Sequence, residues 1–229
     1  MEPIVGTLNE SSLHRELKEL YAEPGDRLEY PIGQFVADIA RNVDSDDPEL
    51  IEIQTGSFGA MGTKLDHLLP DYRITIVHPI AIRTRLERDD KKPRLSPKRG
   101  SAHSLFDELV SIPTLLDHPN LELEVVLVEV IKTQTRDPKA RRGLGGYRTL
   151  DRRIERLDST LLLGSMDEVV AHFIPTDLPT TFTTADLATA LNVDRSVAQK
   201  MTYCFRLSGH ILEVDRSRDG RRFTLAYGS

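Results

Sequence analysis

The chain has 229 residues, 39% of them hydrophobic and 29% charged, proportions of a soluble globular protein with one generous core or two modest ones. No apolar run reaches membrane-spanning length, the start "MEPIVGTLNE" lacks the basic-then-apolar order of a signal peptide, and the single Cys204 excludes an internal disulfide framework and a cysteine-rich zinc site. The net charge of −6 looks unfavourable for nucleic-acid binding, but a binding face needs only a local excess: residues 1–80 are acidic, whereas "RTRLERDDKKPRLSPKRG" (83–100) and "KTQTRDPKARRGLGGYRTLDRR" (132–153) are basic.

A cytoplasmic enzyme or regulator with no membrane partner is therefore expected, with Cys204 as small core filler. An acidic region beside two basic ones points to a metal-centred site next to a phosphate track; the plainer alternative makes each basic run a solvated loop.

In chain order, "SSLHRELKELYAEPGD" carries leucines at 13, 17 and 20 in a helical stripe that stops at "EPGD". Glu16 falls on the same side by the i, i+3, i+4, i+7 rule. "RLEYPIG", "FVADIAR" and "LIEIQTG" are strand-like runs broken by Gly33 and the polar turn "NVDSDDPE", a three-strand meander in which Asp44, Asp46 and Asp47 read as a solvated turn. "SFGAMGTKLDHLLPDY" is helical, with Met61, Leu65 and Leu68 on one face and Lys64 sharing it; "RITIVHPI" is a buried strand.

Alternation along a strand groups Val36, Asp38 and Ala40 on one face, and Leu50, Glu52 and Gln54 on another. A hairpin folded symmetrically about Ser45 sets Asp38 opposite Glu52, with Cβ atoms roughly 5 Å apart. Two carboxylates that close repel unless a cation lies between them, and Mg2+ takes one or two carboxylates while keeping waters and room for a phosphate. Asp38 could instead pair with Arg41 or Arg73, Glu52 and Gln54 could line a polar sheet face, and Glu16 and Lys64 could be surface residues, Lys64 snorkelling from an apolar face.

A helix with an inward Glu, a strand Asp, and an apolar strand bearing Glu-x-Lys form the pattern of the restriction-endonuclease-like, or PD-(D/E)xK, nucleases, and the first 80 residues resemble it through Glu16, Asp38, Glu52 and Gln54. The resemblance implies that Asp38 and Glu52 hold Mg2+ or Mn2+ and that Glu16 assists. No Pro precedes Asp38, and Gln54 stands where the family has lysine. An amide can bond a water but brings no positive charge. In some members that lysine comes from the following helix, where this chain has Lys64.

Beyond residue 80, "SAHSLFDELVSIPTLLDHP" is helical and "LELEVVLVEVIKTQ" β-rich, extending the same sheet, with 83–100 as a loop near the groove and "RRGLGGYR" as a basic connector. "FTTADLATAL" opens on a capping box at Thr183 and Asp186, and "DRSVAQKMTYCFRLSGH" starts at an Asp194 cap. Val197, Met201, Cys204 and Phe205 share one face of this second helix; Arg195, Gln199, Thr202 and Arg206 share another. "ILEVDRSRDGRRFTLAY" reads as a hairpin turning at Asp219-Gly220, with Arg216, Arg218, Arg221 and Arg222 near its tip. With "GSMDEVVAHFIP" as a first helix, this order resembles a winged helix-turn-helix domain, which implies DNA contact through the second helix and the hairpin; such domains also bind proteins.

The expected fold is α/β: a restriction-endonuclease-like mixed sheet flanked by helices over 1–145, then a small winged-helix domain over 146–229. The expected function is Mg2+-dependent DNA endonuclease, with a winged helix for DNA targeting or partner contact and a homodimer if both strands are cut. The alternative is an inactive DNA-binding regulator or adaptor on a nuclease-like scaffold.

Overall fold

The computed structural model describes residues 11–139, 146–217 and 220–226. Helix α1 (Ser12–Tyr21) is followed by strands β1 (Arg27–Ile32), β2 (Phe35–Arg41) and β3 (Glu49–Ile53), then a 3-10 turn and helix α2 (Gly62–Leu68). Next come β4 (Arg73–Arg88), β5 (Lys91–Leu95), the short α3 (Phe106–Leu109), β6 (Leu121–Arg136) and β7 (Tyr147–Leu163). The C-terminal stretch adds α4 (Met166–Phe173), β8 (Phe182–Thr183), α5 (Thr184–Leu191), α6 (Arg195–Leu207), β9 (Ile211–Ser217) and β10 (Gly220–Leu225). Among the described residues this is an α/β protein with a mixed seven-stranded sheet and a separate antiparallel three-stranded sheet. The large sheet runs β1-β2-β3-β4-β6-β7, with β5 paired to β4; the small one runs β8-β10-β9.

Two compact units divide the chain. One takes in residues up to Thr55, Val77–Ala102 and Val125–Leu161; the other takes in Gly56–Ile76, His103–Glu124 and the chain from Leu162.

In the first unit, Ser11 caps α1 by accepting a bond from the His14 N–H, and the helix lays Leu13 and Leu17 on Ile39, Ile51, Ile53, Val77, Val126, Val128 and Val130. Leu17 is fully buried, worth about 2 kcal/mol of transfer free energy. The expected stripe is rotated: Leu20 is 57% exposed, while Lys18 is buried and paired with Glu29. Gly33, at φ +58°, sits in the two-residue β1–β2 turn between Ile32 and Phe35, a left-handed conformation that favours glycine. The meander forms as expected, with Ile39 opposite Ile51, Ala40 opposite Leu50 and Arg41 opposite Glu49.

Three expectations beyond residue 80 change. The basic run 83–100 is largely the β4–β5 hairpin instead of a loop, because its alternating residues continue a strand. The stretch "SAHSLFDELVSIPTLLDHP" breaks into 3-10 turns around the four-residue α3. The residues from 147, expected to lead into the C-terminal domain, form β7 at the edge of the large sheet.

In the second unit, Phe106 of α3 meets Phe173 of α4 and Phe205 of α6 edge-on, at centroid distances of 5.1 and 5.5 Å. Thr183 and Asp186 make the reciprocal capping box of α5. Asp194 stands at the α6 N-cap position without a side-chain capping bond. Cys204 is fully buried, and burial pushes its thiol up to about 12, in keeping with a packing role.

Candidate acid pair and C-terminal basic cleft

The paired β2–β3 register ends at Ile39 opposite Ile51, one residue short of Asp38 and Glu52, and by strand alternation Glu52 lies on the face opposite Ile51 and Ile53, which pack against α1. The Ile53 N–H donates to Asp38 Oδ2 at 2.8 Å, so the Asp38 side chain is held against the end of β3. His14 Nε2, reaching from α1, lies 3.3 Å from the same oxygen. Glu52 is only 6% exposed. Arg41 does not serve Asp38. It donates to both carboxylate oxygens of Asp26, at 3.1 and 2.9 Å, and lies near Glu23 and Glu49. That guanidinium holds Asp26 below the usual carboxylate range.

Gln54 has its backbone fixed: its N–H donates to the Val77 carbonyl at 2.9 Å, and its own carbonyl is 2.7 Å from Nδ1 of the buried His78. Glu16, expected beside the acids, accepts a 2.6 Å bond from the Ile154 N–H of β7. It ties α1 to the sheet edge. Lys64 lies half-buried on α2, in the second unit.

His14 carries no signal of its own in the sequence beside the leucine stripe, although a residue at 14 shares a helix side with 17 and 18. His78 carried no separable signal inside the apolar run "RITIVHPI". Among the described residues no group of three or more His, Cys, Asp or Glu side chains is arranged to hold a metal ion. The hard oxygens of Asp38 and Glu52, on neighbouring strands, do suit Mg2+ or Mn2+, which draw one or two carboxylates from a protein and complete their shells with water and substrate oxygens.

The second feature is a cleft of about 350 Å3 in the C-terminal stretch, lined by Arg195, Gln199, Thr202, Tyr203 and Arg206 of α6 together with Arg221 of β10 and the threonines at the start of α5. Arg195 and Arg206 form no ion pair among the described residues, whereas Arg221 lies 3.3 Å from Glu213. Thr202 is 5% exposed and bonds the Gln199 carbonyl, so it forms the cleft floor. Arg222 is exposed on β10 opposite Asp215, and Arg218 lies outside the described residues. Cations without acids in a concave polar surface attract an anion.

Fold and site thus describe an α/β protein with acids on adjacent strands of its large sheet and a basic cleft in its C-terminal stretch. The chain belongs to the family described as "Domain of unknown function (DUF8091)", which matches residues 11–164. It is 30% identical over 163 residues to an uncharacterized protein of Treponema pallidum (strain Nichols), covering 68% of this chain and 62% of that protein. The chain therefore spans less than two thirds of this relative. No solved structure matches the chain. No helix among the described residues is long and apolar enough to cross a membrane.

Proposed function

We propose that the chain is a metal-dependent DNA endonuclease of restriction-endonuclease-like fold, carrying a C-terminal winged helix for DNA targeting or partner contact. The observation that carries this reading is that the adjacent strands β2 and β3 carry Asp38 and the buried Glu52, within the chain order helix, three-strand meander, helix, strand. The order α4, α5, α6 and the β9–β10 hairpin, with Arg195 and Arg206 forming no ion pair among the described residues, supports the winged-helix assignment.

In this reading Asp38 and Glu52 hold Mg2+ or Mn2+. Bound there, the cation supplies Lewis-acid stabilisation of the phosphoryl oxygens and acidifies the attacking water. The Ile53 N–H and His14 fix the Asp38 carboxylate, which limits the reorganisation needed when substrate arrives. Gln54 can orient a water through its amide but adds no charge. Glu16 positions α1 through its bond from the Ile154 N–H.

The test is nicking of supercoiled plasmid by the full chain with Mg2+ or Mn2+. Wild type should nick; Asp38→Ala and Glu52→Ala should lose activity on the order of 100-fold or more, since even indirect supports of a metal site cost 10–100-fold. Equal activity in all three would overturn the site. The Gln54 departure favours a second reading, a DNA-binding regulator, which expects salt-sensitive duplex binding without cleavage, weakened in Arg195→Ala and Arg206→Ala.

A further inference from the structure

Both basic stretches of the sequence converge in the first unit. Strand β7 supplies Arg152, β6 supplies Lys132, and β4 supplies Arg88, and these three strands are neighbours in the sheet. By strand alternation Lys132 and Gln134 share the face of Val126, Val128 and Val130, and Arg152 shares the face of Ile154, which packs against the same cluster. Arg88 donates to Gln134 Oε1 at 3.1 Å and lies 3.8 Å over the Tyr147 ring, so its guanidinium is held in place.

Lys98 arrives by a tightly laid segment. Ser96 N–H donates to the Thr84 carbonyl at 2.8 Å and Gly100 N–H to the Ala81 carbonyl at 3.0 Å. A Cβ on Gly100 would meet the Ala81 oxygen at 2.7 Å, so only glycine permits this approach. None of Arg88, Lys98, Lys132 and Arg152 forms an ion pair with an acid among the described residues. The adjacent Asp89 and Asp90 are engaged by the Thr135 and Tyr147 hydroxyls. Burial, and then the charges of Arg152, Lys98 and Arg88, depress the Lys132 ammonium below its ordinary value. Arg152 also lines a cavity of about 230 Å3 with Ser11, Leu13, Thr55, one residue beyond Gln54, and Asp151, whose carboxylate accepts from the Ser12 N–H.

Like charges gathered without direct ion pairs raise the energy of the empty protein and lower that of an anion complex. We propose that Arg88, Lys98, Lys132 and Arg152 form a site for the phosphodiester backbone of duplex DNA, leading through Arg152 toward the end of β3. The proposal rests on the nuclease reading for its ligand, but it is independent of the C-terminal cleft.

The experiment measures binding of the full chain to a labelled duplex across a salt series, for wild type, Lys132→Gln, Arg152→Gln and Lys132→Arg, with a melting curve for each. In the two glutamine variants affinity should fall several-fold on any sequence, and the slope of log K against log salt should shrink by about 0.9 each. Lys132→Arg should retain both, and the Tm of Lys132→Gln should not fall, because that variant removes a half-buried like charge. Unchanged affinity and slope in both glutamine variants would overturn the site, as would a wild type that binds phosphatidylserine vesicles but no duplex. Cleavage unchanged in Asp38→Ala with these slopes intact would overturn the nuclease site and leave this binding site standing.

Discussion

The two ends of the first unit's sheet handle charge in opposite ways. Around the β2–β3 turn, Arg41 is surrounded by Asp26, Glu23 and Glu49, and its guanidinium gains from all three. Around β4, β6 and β7, the charges of Arg88, Lys98 and Arg152 act on Lys132, and none of the four forms an ion pair with an acid among the described residues. The first arrangement contributes to folding; the second costs stability and is retained where a ligand repays it. Charge that is satisfied internally marks scaffold, and charge left unsatisfied marks a place for something to bind.

Removing the cation at each end separates these roles most sharply. Arg41→Ala leaves the Asp26 carboxylate, 5% exposed, without its partner and should destabilise the protein by about 2–3 kcal/mol, somewhat less than breaking a fully buried pair. Urea denaturation at pH 7 measures it, and a loss below about 0.5 kcal/mol would mean the group is surface decoration. In the second unit, Thr183→Ala removes the α5 capping box and should cost about 1 kcal/mol by the same assay.

A smaller effect depends on pH. His103 packs edge-on against Phe173, and burial, followed by the charge of His172, lowers its proton affinity from the ordinary 6.5. The unfolded chain takes the proton near 6.5 while the folded chain resists, so this contribution is complete above pH 6.5 and is lost as pH falls through the folded value. His103→Phe should flatten the stability difference between pH 7 and pH 5.5; an unchanged slope would place the acid sensitivity elsewhere. The smallest expected change is in Lys132→Gln, a gain of up to about 0.5 kcal/mol, opposite in sign to Arg41→Ala.

Much of the first 80 residues was legible because alternation and turn residues act locally. The first helix and the meander follow from hydrophobic period and from a symmetric polar turn. Other features depend on partners distant in sequence. Leu20 is exposed while Lys18 is buried because the charge of Glu29 lies beside Lys18. Glu16 looked like a site acid, yet its carboxylate bonds a β7 backbone 138 residues away. The strand character of 147–163 was hidden by its charges, which an edge strand tolerates. His14 and Asp38 meet only once α1 is docked.

The central claim is that Asp38 and Glu52 together hold one divalent cation. Calorimetric titration of Mn2+ into the full chain, repeated with Asp38→Asn and Glu52→Gln, tests it most directly. The account predicts one site per chain in wild type and none in either variant, with folding unchanged by circular dichroism; equal Mn2+ binding in all three proteins would contradict it.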